Sequence, residues 1–431
     1  MDSKEFLQQA VIYEVNVRQF GEDGGFKTIT DHLPRLSELG VDILWLMPIH
    51  PISLLERKGS LGSPYSVADY YGINPEYGTE EDFRKLVSEA HSRNMMVILD
   101  WVANHTGWDH PWITENPDWY TQVDGEIIYP MGTDWIDVAD LNFDNQEMRK
   151  AMIDAMKYWV EEFDIDGYRA DVAHSVPVDF WNEASSELHK IKDVFMLAED
   201  GGNMELLESA FDTNYAWGLK DLFNRIGARD ANAADFRRVM ESTAIFYSGG
   251  PYQMVFTDNH DENSWSGTVF ERLRENAKGA ALLSFTVPGM PLIYSGQEIA
   301  IDRRLEFFEK DPIVWPAKSE WGKSEWEIFY RQLVELRTEN PALWTAGAGG
   351  DLVSLHEEES DVIVFSRSFE GNDVVIAVNL DSKPASQKFA LGTLAGTYQE
   401  FFSGQEIQFD AGASVELGGH EFQVFFRNTP E

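Results

Sequence analysis

The sequence contains no cysteine. Disulfides, thiol nucleophiles and thiolate metal sites are thereby excluded. Cations are scarce as well: Lys and Arg number 34 against 74 Asp and Glu, a formal net charge of −40. A surface that negative repels phosphate backbones and anionic headgroups, so no nucleic-acid partner and no membrane-surface partner is expected. A neutral or cationic ligand stays open. Nowhere does the chain approach the unbroken run of roughly 18–20 apolar residues that a membrane-spanning helix needs. The opening Met1-Asp-Ser-Lys-Glu-Phe6 has no basic stretch leading into an apolar core, so no signal peptide is predicted. The expected setting is the cytoplasm, or export with the leader removed. Oligomeric state leaves no trace in the sequence.

What is present is a large apolar core. The chain has 431 residues, 43% hydrophobic and 13% aromatic, enough for two or three domains and too apolar for disorder. Apolar, β-branched runs recur at Val11–Phe20, Val41–Ile49, Met95–Val102, Ile165–Val172, Val194–Ala198, Tyr252–Thr257 and Met290–Tyr294. Helix-like stretches separate them. Thr30–Leu39 places Leu33, Leu36 and Leu39 at helical spacing with Gly40 as a stop, and Glu80–Arg93 and Gln146–Phe163 read the same way. Strands alternating with helices imply parallel pairing through right-handed crossovers. An eighth strand, sixth in order, is expected around Ala210–Trp217, which completes a (β/α)₈ TIM barrel over residues 1–345. From about Ala346 the pattern changes to short alternating runs, Val362–Arg367, Val374–Asn379 and Phe422–Arg427, divided by Gly, Asp and Asn. Residues 346–431 are therefore predicted to form an antiparallel β-sandwich domain.

Polar residues gather where the predicted strands end, which in a barrel is the functional face. The third strand ends in Asp100-Trp-Val-Ala-Asn104-His105 and the fourth in Gly167-Tyr-Arg169-Ala-Asp171-Val-Ala-His174. The fifth ends in Leu197-Ala-Glu199-Asp200, and the seventh in Phe256-Thr-Asp258-Asn259-His260-Asp261. Arg169 and Asp171 are two apart and point to the same face of a strand. A guanidinium beside a carboxylate favours its ionised form, as a nucleophile requires. Alone, that pair is equally well read as a structural ion pair. Glu199 or Asp261 alone is more often a helix cap or a surface charge. Three acids at the functional ends of three different strands form a constellation.

These four segments, in this order on a barrel followed by a β-sandwich, resemble the signature regions of the α-amylase family, glycoside hydrolase family 13. The resemblance covers nearly the whole chain. It implies a retaining glycoside hydrolase acting on α-1,4-glucosidic bonds of starch-type glucans or maltooligosaccharides. A transglycosylase or exo-acting α-glucosidase on the same scaffold is the alternative, and a catalytically inactive glucan-binding member a third reading. By motif position Asp171 matches the nucleophile, Glu199 the general acid/base and Asp261 the transition-state stabiliser. Arg169 matches the residue that orients the nucleophile, and His105 and His260 the pair that hydrogen-bonds the sugar. Tyr65, in Tyr65-Ser-Val-Ala-Asp69-Tyr70-Tyr71, matches an aromatic that stacks on that sugar. His174 stands where many members carry Lys, on the leaving-group side. Trp108, Trp135, Trp217 and Trp265, near the strand ends, are further stacking candidates. Where the family inserts a small domain, about residues 106–139, this chain is short. That domain helps to build the family's calcium site, of which Asn104 and Asp140 match two ligand positions. No organic cofactor is implied.

Overall fold

The computed structural model describes residues 3–22, 24–248, 250–345, 347–356 and 360–428. Eight parallel strands close into a barrel in chain order: Ile12–Val15, Ile43–Leu46, Met96–Trp101, Gly167–Ala170, Phe195–Ala198, Thr213–Tyr215, Tyr252–Val255 and Met290–Tyr294. Closure is made by Ile12 pairing with Leu292. All eight predicted strands are present, the sixth reduced to three residues. The crossover between the fifth and sixth is a single 3₁₀ turn, Met204–Leu207, with no α-helix among the described residues to announce it.

The helices follow the expected periodicity and carry recognisable ends. Gly25–Leu39 stops at Gly40, whose φ of 90° lets its N–H reach back to the Leu36 and Ser37 carbonyls. Glu80–His91 starts from a capping box between Thr79 and Asp82, and Gln146–Phe163 from the Asn145 side chain. One glycine is dictated by space. A Cβ on Gly167 would lie 1.9 Å from the Phe195 carbonyl oxygen, at the start of the strand that carries Arg169.

Strand alternation divides the barrel residues between two cores. Val11, Tyr13 and Val15, with Leu44, Leu46, Val97 and Leu99, face outward into the core shared with the helices. Ile12, Ile43, Trp45, Ile98, Leu197, Met254, Met290 and Leu292 fill the interior. Phe6 and Leu7, from the short helix Ser3–Gln9, pack against this interior core.

A six-stranded antiparallel sheet makes the second part, with a two-stranded ribbon, Ala385–Ala390 and Gly412–Leu417, laid on it. Val362, Val364, Val375, Ala377 and Phe425 face the ribbon's Phe389, Val415 and Leu417. The alternate residues Ile363, Phe365, Val374, Ile376 and Val378 join the core of the barrel helices. Because the sheet is covered on both faces, Asn372–Asn379 is buried throughout, unlike the short alternating run read from the sequence. Arg367 ties the two parts together by donating to the carbonyls of Thr286, Leu343, Trp344 and Gly350. The division we propose after Thr345 lies between the helix Glu325–Glu339 and the strand Val353–Ser354. Residue 346 itself, 357–359 and the last three of the chain lie outside the described residues, as do the first two of the barrel part.

Candidate active site

Two residues further along the interior-facing positions, the apolar filling gives way to charge. Glu14 follows Ile12, Asp100 follows Ile98, Arg169 and Asp171 follow Gly167, and Glu199 follows Leu197. Arg169, 1% exposed, is the hub of this layer. Its Nη1 donates to Asp100 Oδ1 at 2.8 Å and to Asp171 Oδ1 at 3.0 Å, and its Nη2 lies 3.0 Å from Glu199 Oε2. The remaining Nε donates to the Tyr215 hydroxyl at 2.9 Å. The Trp45 ring lies 5.1 Å from the guanidinium carbon, and its indole N–H donates to Asp100 at 3.1 Å. Burial opposes a charge on Arg169, but Asp100 and Glu199 outweigh it and hold the guanidinium protonated. Burial and the Glu199 carboxylate push the Asp171 carboxyl well above the usual carboxylate range, against the pull of Arg169.

The backbone here is strained. Val172, directly after Asp171, has φ 38° and ψ 47°, a left-handed conformation that costs a β-branched residue about 1–3 kcal/mol. That conformation aims its N–H at Glu199 Oε2, 2.6 Å away. The strain thus fixes where one oxygen of Glu199 stands.

The two histidines expected at the sugar are both here, in opposite states. His105 is buried, and burial pushes its pKa down to about 4, so it is neutral near pH 7. Burial also opposes a charge on His260, but Asp261 and Glu14 prevail and push its pKa up to about 9. The His260 imidazolium lies 2.5 Å from Glu14 through Nδ1 and 2.8 Å from the Tyr65 hydroxyl through Nε2. Tyr65 in turn donates to Asp100 Oδ2 at 2.9 Å. Its ring is nearly parallel to those of His260 and Phe307. Asp261 reaches His260 Nε2 at 3.3 Å from the loop after the seventh strand, with a third of its side chain exposed.

Above this layer opens a cleft of about 380 Å³, lined by Tyr65, His105, Asp171, Glu199, His260 and Asp261 among the expected residues. Lys58, Asp134, Asp137, Trp135, Trp265, Phe307 and Phe308 line it too. Lys58 pairs with Asp137 at 2.9 Å, clasping the loop after the second strand to the 106–139 segment, whose base is closed by the His105–Gly107 and Val138–Asp140 ribbon. Trp265 packs on Phe307, and Trp135 lies 5.6 Å from the His105 ring. Of the four tryptophans singled out in the sequence, these two line the cleft. Trp108 donates to the Ile136 carbonyl, and Trp217 packs on Tyr215 and Phe256, so both serve packing instead. His174 stands exposed on the turn Ala173–Ser175, outside the cleft lining, with Nδ1 3.5 Å from the Glu199 carbonyl.

Asn104 and Asp140 are brought close, since the Leu141 N–H donates to the Asn104 carbonyl. The amide nitrogen of Asn104 lies 3.2 Å from His105 Nδ1, and burial pushes the Asp140 carboxyl up. Among the described residues no group of three or more His, Asp or Glu side chains converges as a metal site. No helix of the described residues is long and apolar enough to cross a membrane.

Sequence reading missed Glu14, Asp100, Lys58, Phe307 and Phe308. Glu14 carries a signal that could have been used: a charged residue inside the apolar run Val11-Ile-Tyr-Glu14-Val15, on the parity of Ile12. Phe307 and Phe308 lie in an irregular loop after the eighth strand, where no periodicity places them.

A closed barrel with a buried acid cluster at its strand ends, under an aromatic-walled cleft, has the layout of the (β/α)₈-barrel glycosidases. The chain belongs to the α-amylase family: the alpha amylase catalytic domain matches residues 12–319, and the alpha amylase C-terminal all-beta domain residues 353–425. An α-amylase of Haloarcula japonica is 29% identical over 413 residues, covering 91% of this chain. This chain spans 58% of that relative's length. The structure of a maltogenic α-amylase from Thermotoga neapolitana superposes with a TM-score of 0.88 at 28% identity, covering 99% of this chain and 100% of its own. An α-amylase structure from Lactobacillus plantarum gives 0.85 at 30% identity, covering 98% of this chain and 99% of its own.

Proposed function

We propose that the protein is a retaining glycosidase that cleaves α-1,4-glucosidic bonds in starch-type glucans or maltooligosaccharides through a covalent intermediate. The observation that carries this reading is the Arg169 guanidinium holding Asp171 on one nitrogen and Glu199 on the other. The reaction needs a single proton on this pair of carboxyls. The productive state has that proton on Glu199, on the oxygen not held by the Val172 N–H, and leaves Asp171 ionised against Arg169. Glu199 then gives its proton to the departing glycosidic oxygen while the free Asp171 oxygen attacks the anomeric carbon. Water enters next, Glu199 takes its proton, and the Asp171 ester is cleaved with overall retention. Asp261 stabilises the positive charge that develops on the sugar ring. Tyr65, His105 and His260 orient the reacting sugar, and Trp135, Trp265 and Phe307 offer apolar faces to neighbouring sugars.

A time course on maltoheptaose, read by chromatography together with the anomeric configuration of the first products by NMR, tests the reading. Products of several lengths in the α configuration are expected from internal cleavage of the chain. A single short product, or products longer than the substrate, would assign the exo-acting or transglycosylating alternative. First products in the β configuration would overturn the retaining mechanism.

A further inference from the structure

Glu14 lies in the first barrel strand, 0% exposed, and none of the four motifs accounts for it. Its Oε1 is 2.5 Å from His260 Nδ1, while its Oε2 is buried with no hydrogen-bond partner. Burial pushes the Glu14 carboxyl up while the His260 and Arg169 charges pull it back, so a carboxylate there is costly unless it faces a cation. His260 is the group placed to be that cation. Around its ring stand Asp261 from its own loop at 3.3 Å and the Tyr65 hydroxyl from the loop after the second strand at 2.8 Å. The Trp45 ring from the second strand meets it edge to face. Arg169 from the fourth strand is the like charge that opposes protonation, and Asp100 lies one hydrogen bond further, through Tyr65.

We propose that Glu14 is a positioning residue for the reaction: it holds His260 doubly protonated, with Nδ1–H donated to Glu14 and Nε2–H presented to Tyr65 and the cleft. The inference rests on the reading of this cleft as the active site. The direction of a whole chain of hydrogen bonds depends on it. With both ring nitrogens protonated, His260 donates to the Tyr65 hydroxyl, Tyr65 donates to Asp100, and Asp100 accepts from Arg169. A neutral His260 keeps one proton, on the nitrogen facing Glu14. Its Nε2 then accepts, Tyr65 turns its proton toward the histidine, and Asp100 loses that donor. Any sugar hydroxyl that His260 serves meets an acceptor instead of a charged donor.

Glu14→Gln separates charge from shape, since the amide oxygen still accepts from Nδ1 but no longer favours a second proton. The ratio of kcat/KM at pH 8 to that at pH 6 is expected to fall at least five-fold relative to the parent enzyme. At pH 6 the imidazole protonates more readily, and the loss there should be smaller than at pH 8. A ratio equal to the parent's, whatever the overall activity, would overturn the proposal. Should Glu14→Gln fail to fold, the unsubstituted enzyme gives the answer through deuterium exchange at the imidazole C2 position, read by mass spectrometry on the peptide carrying His260. A midpoint near 9 is expected, and one at or below the ordinary histidine value of 6.5 overturns the assignment. Asp171→Asn assayed alongside keeps the two readings apart. If it retains turnover, the active-site reading fails; if it is inert while the Glu14→Gln ratio is unchanged, only the role of Glu14 fails.

Discussion

The lower and upper halves of the barrel interior are built by the same strands, two residues apart, and have opposite chemistry. Below, Ile12, Ile43, Ile98, Leu197, Met254 and Leu292 make an apolar plug. Above, Glu14, Asp100, Arg169, Asp171 and Glu199 make a buried charged layer, with Trp45 and Tyr215 touching both. The lower layer gains stability from burial alone. The upper layer consists of charges taken out of water, which are tolerated only because one guanidinium serves three carboxylates and one histidine serves a fourth. The contrast separates stability from chemistry along one strand direction: what the lower half contributes in packing, the upper half spends on pre-organised charge.

Substitutions in the two halves should therefore fail differently. Arg169→Met carries the largest expected effect. It strands Asp100, Asp171 and Glu199 without their shared cation, and removal of one partner from a buried ion cluster costs about 3–5 kcal/mol. Urea unfolding should report that loss, and turnover of maltooligosaccharides should drop to background. In the lower half, Ile98→Ala should cost about 2–4 kcal/mol through the cavity it leaves. Its kcat/KM at 25 °C should nonetheless stay within about two-fold of the parent, because no charged contact moves. Equal activity losses in the two variants would erase the distinction between the layers. Smaller still is the effect of Trp265→Ala on the cleft wall, whose side chain is 56% exposed. Loss of one stacking face is worth about 0.5–1.5 kcal/mol, a rise in KM of about two- to ten-fold, with an unchanged melting temperature. A change in stability instead would make Trp265 a packing residue.

The same contrast explains what was legible in the sequence. Arg169, Asp171, Glu199 and Asp261 stand at the ends of apolar strands, so position alone drew attention to them, and the structure brings all four together. Glu14 and Asp100 belong to the same layer. Glu14 hides inside an apolar run, and Asp100 opens a motif whose later residues drew the eye. Strands buried on both faces lose their alternation, so Glu14 stands out only as a charge inside an apolar run and not by an alternating pattern. The sixth strand, Thr213–Tyr215, was hardest to place because it is short, polar and preceded by a turn rather than a helix. The aromatic wall was half legible. Trp135 and Trp265 reach the cleft, while Trp108 and Trp217 are drawn into packing by partners distant in sequence. Phe307 and Phe308 depend on an irregular loop whose course no local pattern specifies.

In the proposed mechanism Asp171 is the nucleophile that forms a covalent glycosyl-enzyme, with Glu199 as its acid and base. The most direct test traps that species. In Glu199→Gln, an α-maltosyl fluoride substrate needs no acid to leave, while hydrolysis of the ester lacks its base, so the intermediate should accumulate. Intact-mass measurement is expected to register one maltosyl unit per chain, and peptide mapping to place it on the Asp171 carboxylate. An adduct on any other carboxylate, or fluoride release with inversion and no adduct, would contradict the account.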